Sequence, residues 1–305
     1  MDLRQIRYFV AACEERSLSA AAGRLNCTAS GVSQQMSALE GRLATVLFER
    51  TRRGVNPTAA GWRFYDRCLA VLRAVSEAEM ELEDFAAGLS GKVSAGFAPG
   101  LARSVLPQAL ARYTRDFANV DIEIGSGAAD ALVHEAAEGA LDFYVGQFSR
   151  PQAGLTAISI GTYPVALISG SRLGLTQMAP VHLRELANLK LSIPSATHSL
   201  RPKIEEAIRA GDITVERTIS IASLSAGLEF VAQNDWSSIL PFWIGLKMLG
   251  DERVTINPIE APELSVRLAL IHPAQRSLSR AARQLYEYFQ QELRSSETEW
   301  RRIVG

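Results

Sequence analysis

The sequence predicts two kinds of fold in one chain: a small, mostly helical head with a two-stranded appendage, and a larger α/β body, joined by one long helix. Three observations carry this reading. Charge is segregated: residues 1–73 hold eleven arginines, no lysine and six acidic residues, a net +5, whereas the remainder holds 21 basic and 27 acidic residues, a net −6. The chain as a whole is nearly neutral, at −1. Apolar residues keep a helical beat through the first ninety positions, apart from one short run at 47–57. From Lys92 onward, short apolar runs alternate with helical patterns, the rhythm of an α/β sheet. A length of 305 residues and a hydrophobic content of 47% suit two domains with real cores.

In the head, Leu3, Ile6, Phe9, Val10 and Cys13 fall at helical spacing, which predicts an amphipathic helix over 2–15. Ser17 is placed to cap a second helix, in which Ala21, Ala22 and Leu25 face inward and allow close helix approach. Thr28 is placed to cap a third, with Val32, Met36, Leu39 and Leu43 as its buried stripe. Three short helices with tight connections read as a helix-turn-helix unit. Leu47 and Phe48 then anchor a hairpin that carries Arg50, Arg52, Arg53 and Gly54 and returns through Val55 to Pro57, the shape of a wing. From Thr58 to about Ala87 runs one long helical pattern. Tyr65, Leu69 and Leu72 repeat in it near a coiled-coil seam, so a second subunit's helix is the expected partner; packing on the chain's own body is the rival arrangement.

The third helix turns a distinctive face outward: Ala29, Ser30, Ser33, Gln34 and Ser37. These groups are short or neutral, and can approach base edges in a major groove at small desolvation cost. Gln can bond adenine N6 and N7 together, and Ser bonds many partners. An ordinary solvated helix face has the same composition. The neighbouring arginines shift the balance, because guanidinium groups grip phosphates while base contacts specify. Thr28, Ser30, Ser33, Gln34 and Ser37 are therefore the candidate DNA-reading residues, and Arg50, Arg52 and Arg53 the candidate phosphate contacts.

Gly88-Leu89-Ser90-Gly91 breaks the long helix and marks a hinge. Strands are predicted at Lys92–Phe97, 120–124, 141–146, 164–168, 189–193, 215–221, 237–240 and 265–271. Helices are predicted at 103–117, 128–138, 182–187, 200–210, 223–233 and 277–294. Alternation at this spacing implies right-handed crossovers and a parallel sheet, in two Rossmann-like βα subdomains whose turns face a shared cleft. Pro99, Gly100, Leu101, Ser126, Gly127, Gln147, Thr197, His198, Ser223 and Phe242 fall at those turns. Phe148 lies beside them. Hydroxyls and helix N-termini suit a small carboxylate or similar anion, although caps and turns need the same residues.

The order Phe9, Ser17-Leu18-Ser19-Ala20-Ala21-Ala22, Leu25, Val32-Ser33, Leu39-Glu40, Leu47-Phe48, Arg50 and Thr58-Ala59-Ala60-Gly61 resembles the N-terminal signature of LysR-type transcriptional regulators. In the body, Gly91–Phe97, Leu106-Pro107, Gly139-Ala140-Leu141-Asp142 and Leu240-Pro241 are similar to the same family's effector domains. Ala98-Pro99-Gly100, Ile193-Pro194-Ser195 and Ile221-Ala222-Ser223-Leu224 resemble the branch of the nitrogen assimilation control regulators. The resemblance implies a winged helix-turn-helix at 1–58, a dimerising linker helix at 59–88, and a periplasmic-binding-protein-like effector domain at 89–305. Within the last, one subdomain would take about 92–162 with 266–305 and the other about 163–265. The chain departs from the family at four places. Thr28-Ala29-Ser30-Gly31 replaces the usual Ser-Gln-Pro-Ala, so a Gln that often contacts DNA is Ala29. Ala44 stands where Gly is usual, Pro57 where Leu is usual, and Asn234-Asp235-Trp236 where Gly-x-Gly is usual.

Other classes find little support. Cys13, Cys27 and Cys68 lack metal or disulfide spacing, as do His134, His182, His198 and His272. No nucleotide loop, nucleophile elbow or metal cluster argues for an enzyme, and no cofactor is expected beyond a small-molecule effector of unknown identity. The N-terminal apolar run is too short for a signal peptide, and no stretch of about 18 apolar residues spans a membrane. A cytoplasmic regulator is expected, with promoter DNA and the effector as partners. It would be a homodimer through the linker and a homotetramer by pairing of dimers, with RNA polymerase as a further partner. A solute-binding protein without a DNA role is the alternative.

Overall fold

The computed structural model describes all residues except 52–53, 88–89, 148–152, 188 and 196–197, and the side chains of 80–87. Two compact units emerge. One comprises Met1–Gly88 with two short segments, Pro151–Thr156 and His272–Ser279; the other comprises Leu89–Arg150, Ala157–Ile271 and Arg280–Gly305.

The first unit begins with α1 (Leu3–Glu15), α2 (Leu18–Arg24) and α3 (Ala29–Leu43). Each start is fixed by a local cap. Asp2 and Gln5 close a capping box, Ser17 accepts from Ala20 N, and Thr28 accepts from Gly31 N. The hairpin β1 (Phe48–Thr51) and β2 (Gly54–Pro57) pairs Phe48 with Pro57 and Arg50 with Val55. The long helix α4 (Ala59–Ala87) follows. Phe9, Val10, Val32, Met36, Leu39 and Leu47 form the core. Leu43 is an exception to the predicted stripe: it is 37% exposed, because α3 ends there and Ala44 turns left-handed at φ 47°.

Two carboxyl-terminal ties complete the head. The Glu40 carboxylate accepts the backbone N–H groups of Leu47 (2.7 Å) and Phe48 (3.0 Å), so α3 sets the start of the wing. Thr58 donates its N–H to Leu47 O and its hydroxyl to Val46 O, and accepts from Gly61 N. A Cβ on Gly61 would lie 2.3 Å from Leu47 O, so only glycine lets α4 start this close to the chain ahead of the wing. The predicted seam is corrected here. Tyr65, Leu69 and Leu72, with Cys68, are buried in this chain's own head core. Among the described residues, the exposed large apolar groups on α4 are instead Trp62 and Val71; the side chains of Met80, Leu82 and Phe85, which would continue the seam, lie outside the described residues.

The second unit contains β3 (Gly91–Phe97), α5 (Pro99–Ser104), α6 (Leu106–Asp116), β4 (Val120–Ser126), α7 (Ala129–Ala137), β5 (Phe143–Gly146) and most of β6 (Leu155–Gly170). It continues with β7 (Val181–His182), β8 (Leu189–Ile193), α8 (Leu200–Ala210), β9 (Val215–Ser220), α9 (Leu224–Gln233) and β10 (Ser237–Pro241). The last elements are α10 (Phe242–Met248), β11 (Val254–Ala261), most of β12 (Ser265–Pro273) and α11 (Arg280–Val304). The strand order is β4-β3-β5-β12-β6-β10-β8-β9, with β11 beside β6 and β7 beside β11.

The sheet is mixed rather than parallel throughout. β3, β4 and β5 run parallel, as do β8, β9 and β10, but β12 meets β5 antiparallel and β6 meets β10 and β11 antiparallel. Strand β6 therefore returns against its neighbours, which a reading built on βα alternation does not foresee. The single helix predicted at 103–117 is two, divided at Val105 beside Pro107. The helix predicted at 182–187 is a β-bridge followed by a single 3₁₀ turn, Leu183–Glu185. Helix α10 and strand β11 were not foreseen: Val254–Pro258 is buried at every position, a two-sided pattern without alternation. In place of a Gly-x-Gly turn, the Asn234 side-chain amide caps α9 through Phe230 O, and Trp236 packs on the Phe230 ring at 5.3 Å.

Candidate functional site

The reading face is built by the period of α3. Ser30, Ser33, Gln34 and Ser37 fall at i, i+3, i+4 and i+7, opposite the buried Val32, Met36 and Leu39. Ser30, Gln34 and Ser37 are exposed and Ser33 is half-buried. The Thr28 hydroxyl oxygen is engaged locally, capping Gly31 N at 3.2 Å with the Ser30 hydroxyl 3.4 Å away. Among the described residues, the side chains of Ser33, Gln34 and Ser37 have no hydrogen-bond partner, so their polar groups face solvent unspent. Gln35, which the sequence reading passed over, flanks this face and accepts from Gln5 Nε2 at 3.0 Å, joining α3 to α1.

The wing is tied to the same helical unit. Val55 N donates to Arg16 O at 2.9 Å, which fixes β2 against the end of α1. Arg50 is exposed on β1 with no acidic partner among the described residues. Arg52 and Arg53 lie outside the described residues. The three cysteines are free thiols; burial pushes the Cys13 thiol well up and that of Cys68 to about 12, which keeps both protonated and unreactive.

In the second unit the candidate effector residues gather at strand ends. Register levels Phe97, Ser126 and Val145, so β3, β4 and β5 finish together. Ser126 is the last residue of β4, and Pro99, Gly100, Gly127 and Gln147 follow those ends. Register likewise levels Ile193 with Ser220 and Ser192 with Ser238, so β8 and β9 finish together and β10 two positions farther on, before Ser199, Ser223 and Phe242. Two contacts join these edges. The Ser199 hydroxyl donates to Gln147 Oε1 at 2.6 Å. A Cβ on Gly100 would meet Ile244 Cδ1 at 2.9 Å and Trp243 Nε1 at 3.3 Å.

Individual roles then separate. His198 Nδ1 accepts Leu200 N–H at 3.2 Å, and burial lowers the imidazole's pKa, so the neutral ring carries its proton on Nε2 and presents a donor. Gln147 spends its carbonyl on Ser199, leaving its NH₂ as the donating end. Ser223 serves as N-cap of α9, accepting from Ala226 N at 3.3 Å, and Ser126 is exposed. Leu101 and Phe242 correct the expectation of an open lining. Both are fully buried, and the Phe242 ring packs on Trp300, Trp243 and Tyr163. Both residues follow a strand end by only a few positions, and their apolar side chains turn into the core there. Thr197 and Phe148 lie outside the described residues.

Three residues were missed by the sequence reading. Trp243 Nε1 is buried and finds no acceptor among the described residues. Tyr144 is buried over Gly146, and desolvation, with Asp130 nearby, raises its phenol pKa, so it remains a hydroxyl. Arg201 ties Pro194 O and Ser220 Oγ together while pairing with Glu205 at 2.7 Å. A tryptophan just after a strand could have been noticed; the other two depend on non-local packing. Among the described residues no His, Cys, Asp or Glu cluster is placed to hold a metal, and no helix is long and apolar enough to cross a membrane.

Known proteins resemble this arrangement along nearly the whole chain. Residues 3–62 match the bacterial regulatory helix-turn-helix protein, lysR family, and residues 86–294 match the LysR substrate binding domain. The nitrogen assimilation regulatory protein nac of Escherichia coli (strain K12) is 29% identical over 291 residues, covering 94% of this chain and 93% of that one. The transcriptional dual regulator GltC of Bacillus subtilis (strain 168) is 24% identical, covering 94% and 96%. Among solved structures, CbnR, a LysR family transcriptional regulator, superimposes with a TM-score of 0.56 at 21% identity, covering 95% of this chain and 100% of that one. Full-length BenM gives 0.56 at 21% identity, covering 98% of each.

Proposed function

Because the chain belongs to the LysR family of DNA-binding transcriptional regulators, we propose that α3 reads the major groove through Ser33, Gln34 and Ser37 while the wing grips phosphate through its arginines. The unspent polar face of α3, together with an exposed Arg50 that has no acidic partner among the described residues, is the observation that carries this reading. With Ala29 at a position where the family often has a base-contacting Gln, side-chain readout falls on fewer groups, and DNA shape takes a larger share of specificity. The test is enrichment of duplexes from a random-sequence pool by the full-length chain. The expected result is a defined motif bound with a steep salt dependence; recovery of unselected sequence would overturn the reading.

The effector is a small anion or acceptor-rich molecule held where the two sets of strand ends meet. His198 Nε2–H, the Gln147 NH₂ and the orphaned Trp243 Nε1–H are all donors, and a buried donor without an acceptor costs about 1–3 kcal/mol until one arrives. A thermal-shift screen of small carboxylates, amines and neutral sugars against the full chain tests this, with stabilisation by carboxylates expected. Stabilisation by amines alone would reverse the assigned charge. No resident cofactor enters the scheme. Two copies pair along α4 through the exposed Trp62, dimers pair into tetramers, and the complex meets RNA polymerase at the promoter, in the cytoplasm. Light scattering of Trp62→Glu against the parent chain tests the first contact.

A further inference from the structure

The head unit contains a buried polar node that the reading and effector roles leave unexplained. Glu14, near the end of α1, has a side chain only 4% exposed. Its carboxylate accepts from Arg24 Nη1 of α2 at 2.6 Å, from the Tyr65 hydroxyl of α4 at 2.9 Å, and from Gln275 Nε2 at 3.2 Å to each oxygen. Tyr65 in turn accepts Gly154 N–H at 3.0 Å, and Ala274 N donates to Gly154 O at 2.8 Å. Gly154 sits at φ +81°, and a Cβ there would come within 2.9 Å of the Glu14 carboxyl carbon. Ala274 is buried in the head core, and Ser277 donates to Glu77 of α4 at 2.6 Å.

Gly154 and Gln275 are not head residues by sequence. One precedes the first residue of β6 and the other follows the last residues of β12, strands that run on into the α/β unit and are neighbours in its sheet. A carboxylate with a guanidinium partner already satisfied by Arg24 does not need a glutamine from 261 positions away to fold the head. The extra ties hold strand ends. We propose that Glu14 is a coupling residue: it clamps the ends of β6 and β12 to α1, α2 and α4, so that movement of those strands in the α/β unit changes the order of the reading head. This rests on the regulator reading above. Ligand binding elsewhere needs only to bias this clamp to change DNA binding, because two sites are coupled through any element whose equilibrium both influence.

The experiment uses the full-length chain and the duplex that the parent chain enriches, with a shuffled duplex as control. Gln275→Leu keeps bulk and removes the amide; Gly154→Ala forces the strand end away from the carboxylate. Both variants are expected to raise backbone amide exchange in α1 and α2 and to weaken the enriched duplex about three- to tenfold, leaving the shuffled duplex within about twofold. Unchanged head exchange and unchanged affinity in both variants would overturn the coupling. Equal weakening on both duplexes would overturn it too, since that marks a damaged head rather than an unclamped one. A parent chain that enriches no duplex would remove the regulator reading and this inference together, an outcome distinct from failure of the variants alone.

Discussion

The head and the α/β unit present polar groups in opposite ways. On α3 the groups that face outward are spared because caps three residues apart satisfy the backbone: Thr28 takes Gly31 N, and Ser33, Gln34 and Ser37 remain free. At the strand ends of the α/β unit, some polar groups are also spent on one another across long distances. Ser199 and Gln147 are 52 positions apart, and Arg201 reaches Ser220. A rigid local scaffold suits a surface that must meet repeating DNA geometry. A network of mutual hydrogen bonds suits a site that must trade internal partners for a ligand. In the head, energy is concentrated in a few close ties, so single substitutions there should act strongly and locally.

The largest effect is expected at Gly61. Alanine there would press on Leu47 O and on Pro57, and should destabilise the head by about 2–4 kcal/mol. Thermal unfolding followed by circular dichroism would show an early transition for the head, and a shift smaller than about 1 kcal/mol would mean that α4 can start farther from Leu47 than the geometry implies. Glu40→Gln comes next. It keeps an acceptor but removes the charge that strengthens two bonds to Leu47 N and Phe48 N, so a loss of about 1–2 kcal/mol is expected. Chemical denaturation gives the number, and a neutral result would show that the wing holds itself.

The next two substitutions act on binding. Gln34→Ala should cost about 1–3 kcal/mol on the enriched duplex and little on shuffled DNA, whereas Arg50→Ala should weaken both and lower the salt slope by about one. Fluorescence anisotropy over a salt series separates these outcomes. Equal losses from Gln34→Ala on both duplexes would strip it of a reading role and bring the head closer to the mutual-network behaviour of the other unit.

The same contrast explains what could be read from sequence. Ser17 and Thr28 announce helix starts because a cap and its target are neighbours in the chain. Leu39-Glu40 and Leu47-Phe48 could be noted as a pattern, but that Glu40 holds both backbone amides is visible only once α3 and the wing are folded. Tyr65, Leu69 and Leu72 misled for a related reason: a stripe reveals that something covers it, not whether the cover is the same chain. In the α/β unit, strands β3, β4, β8 and β9 were legible from alternation with helices. The reversal of β6, the buried run of β11 and the orphaned Trp243 were not, since each depends on partners remote in sequence.

The smallest effect tests the local side of the contrast. Ala44 ends α3 in the left-handed region at φ 47°, ψ 36°, where its N–H bonds back toward Gly41 O. An L-residue with a Cβ pays steric energy there that glycine does not, and a non-glycine left-handed residue costs about 1 kcal/mol. Glycine loses part of that gain because its unfolded chain is freer, by about 0.4–1 kcal/mol. Ala44→Gly is therefore expected to stabilise the head by no more than about 0.5 kcal/mol, raising its transition by a few degrees. The substitution should leave the α/β unit's transition in place, because Ala44 is 15 residues ahead of Ala59, where α4 begins, and its cap is closed within α3. A loss of stability on Ala44→Gly would mean that the Ala44 methyl makes a packing contribution larger than its strain, and that this helix end is fixed by tertiary contact rather than by its own cap.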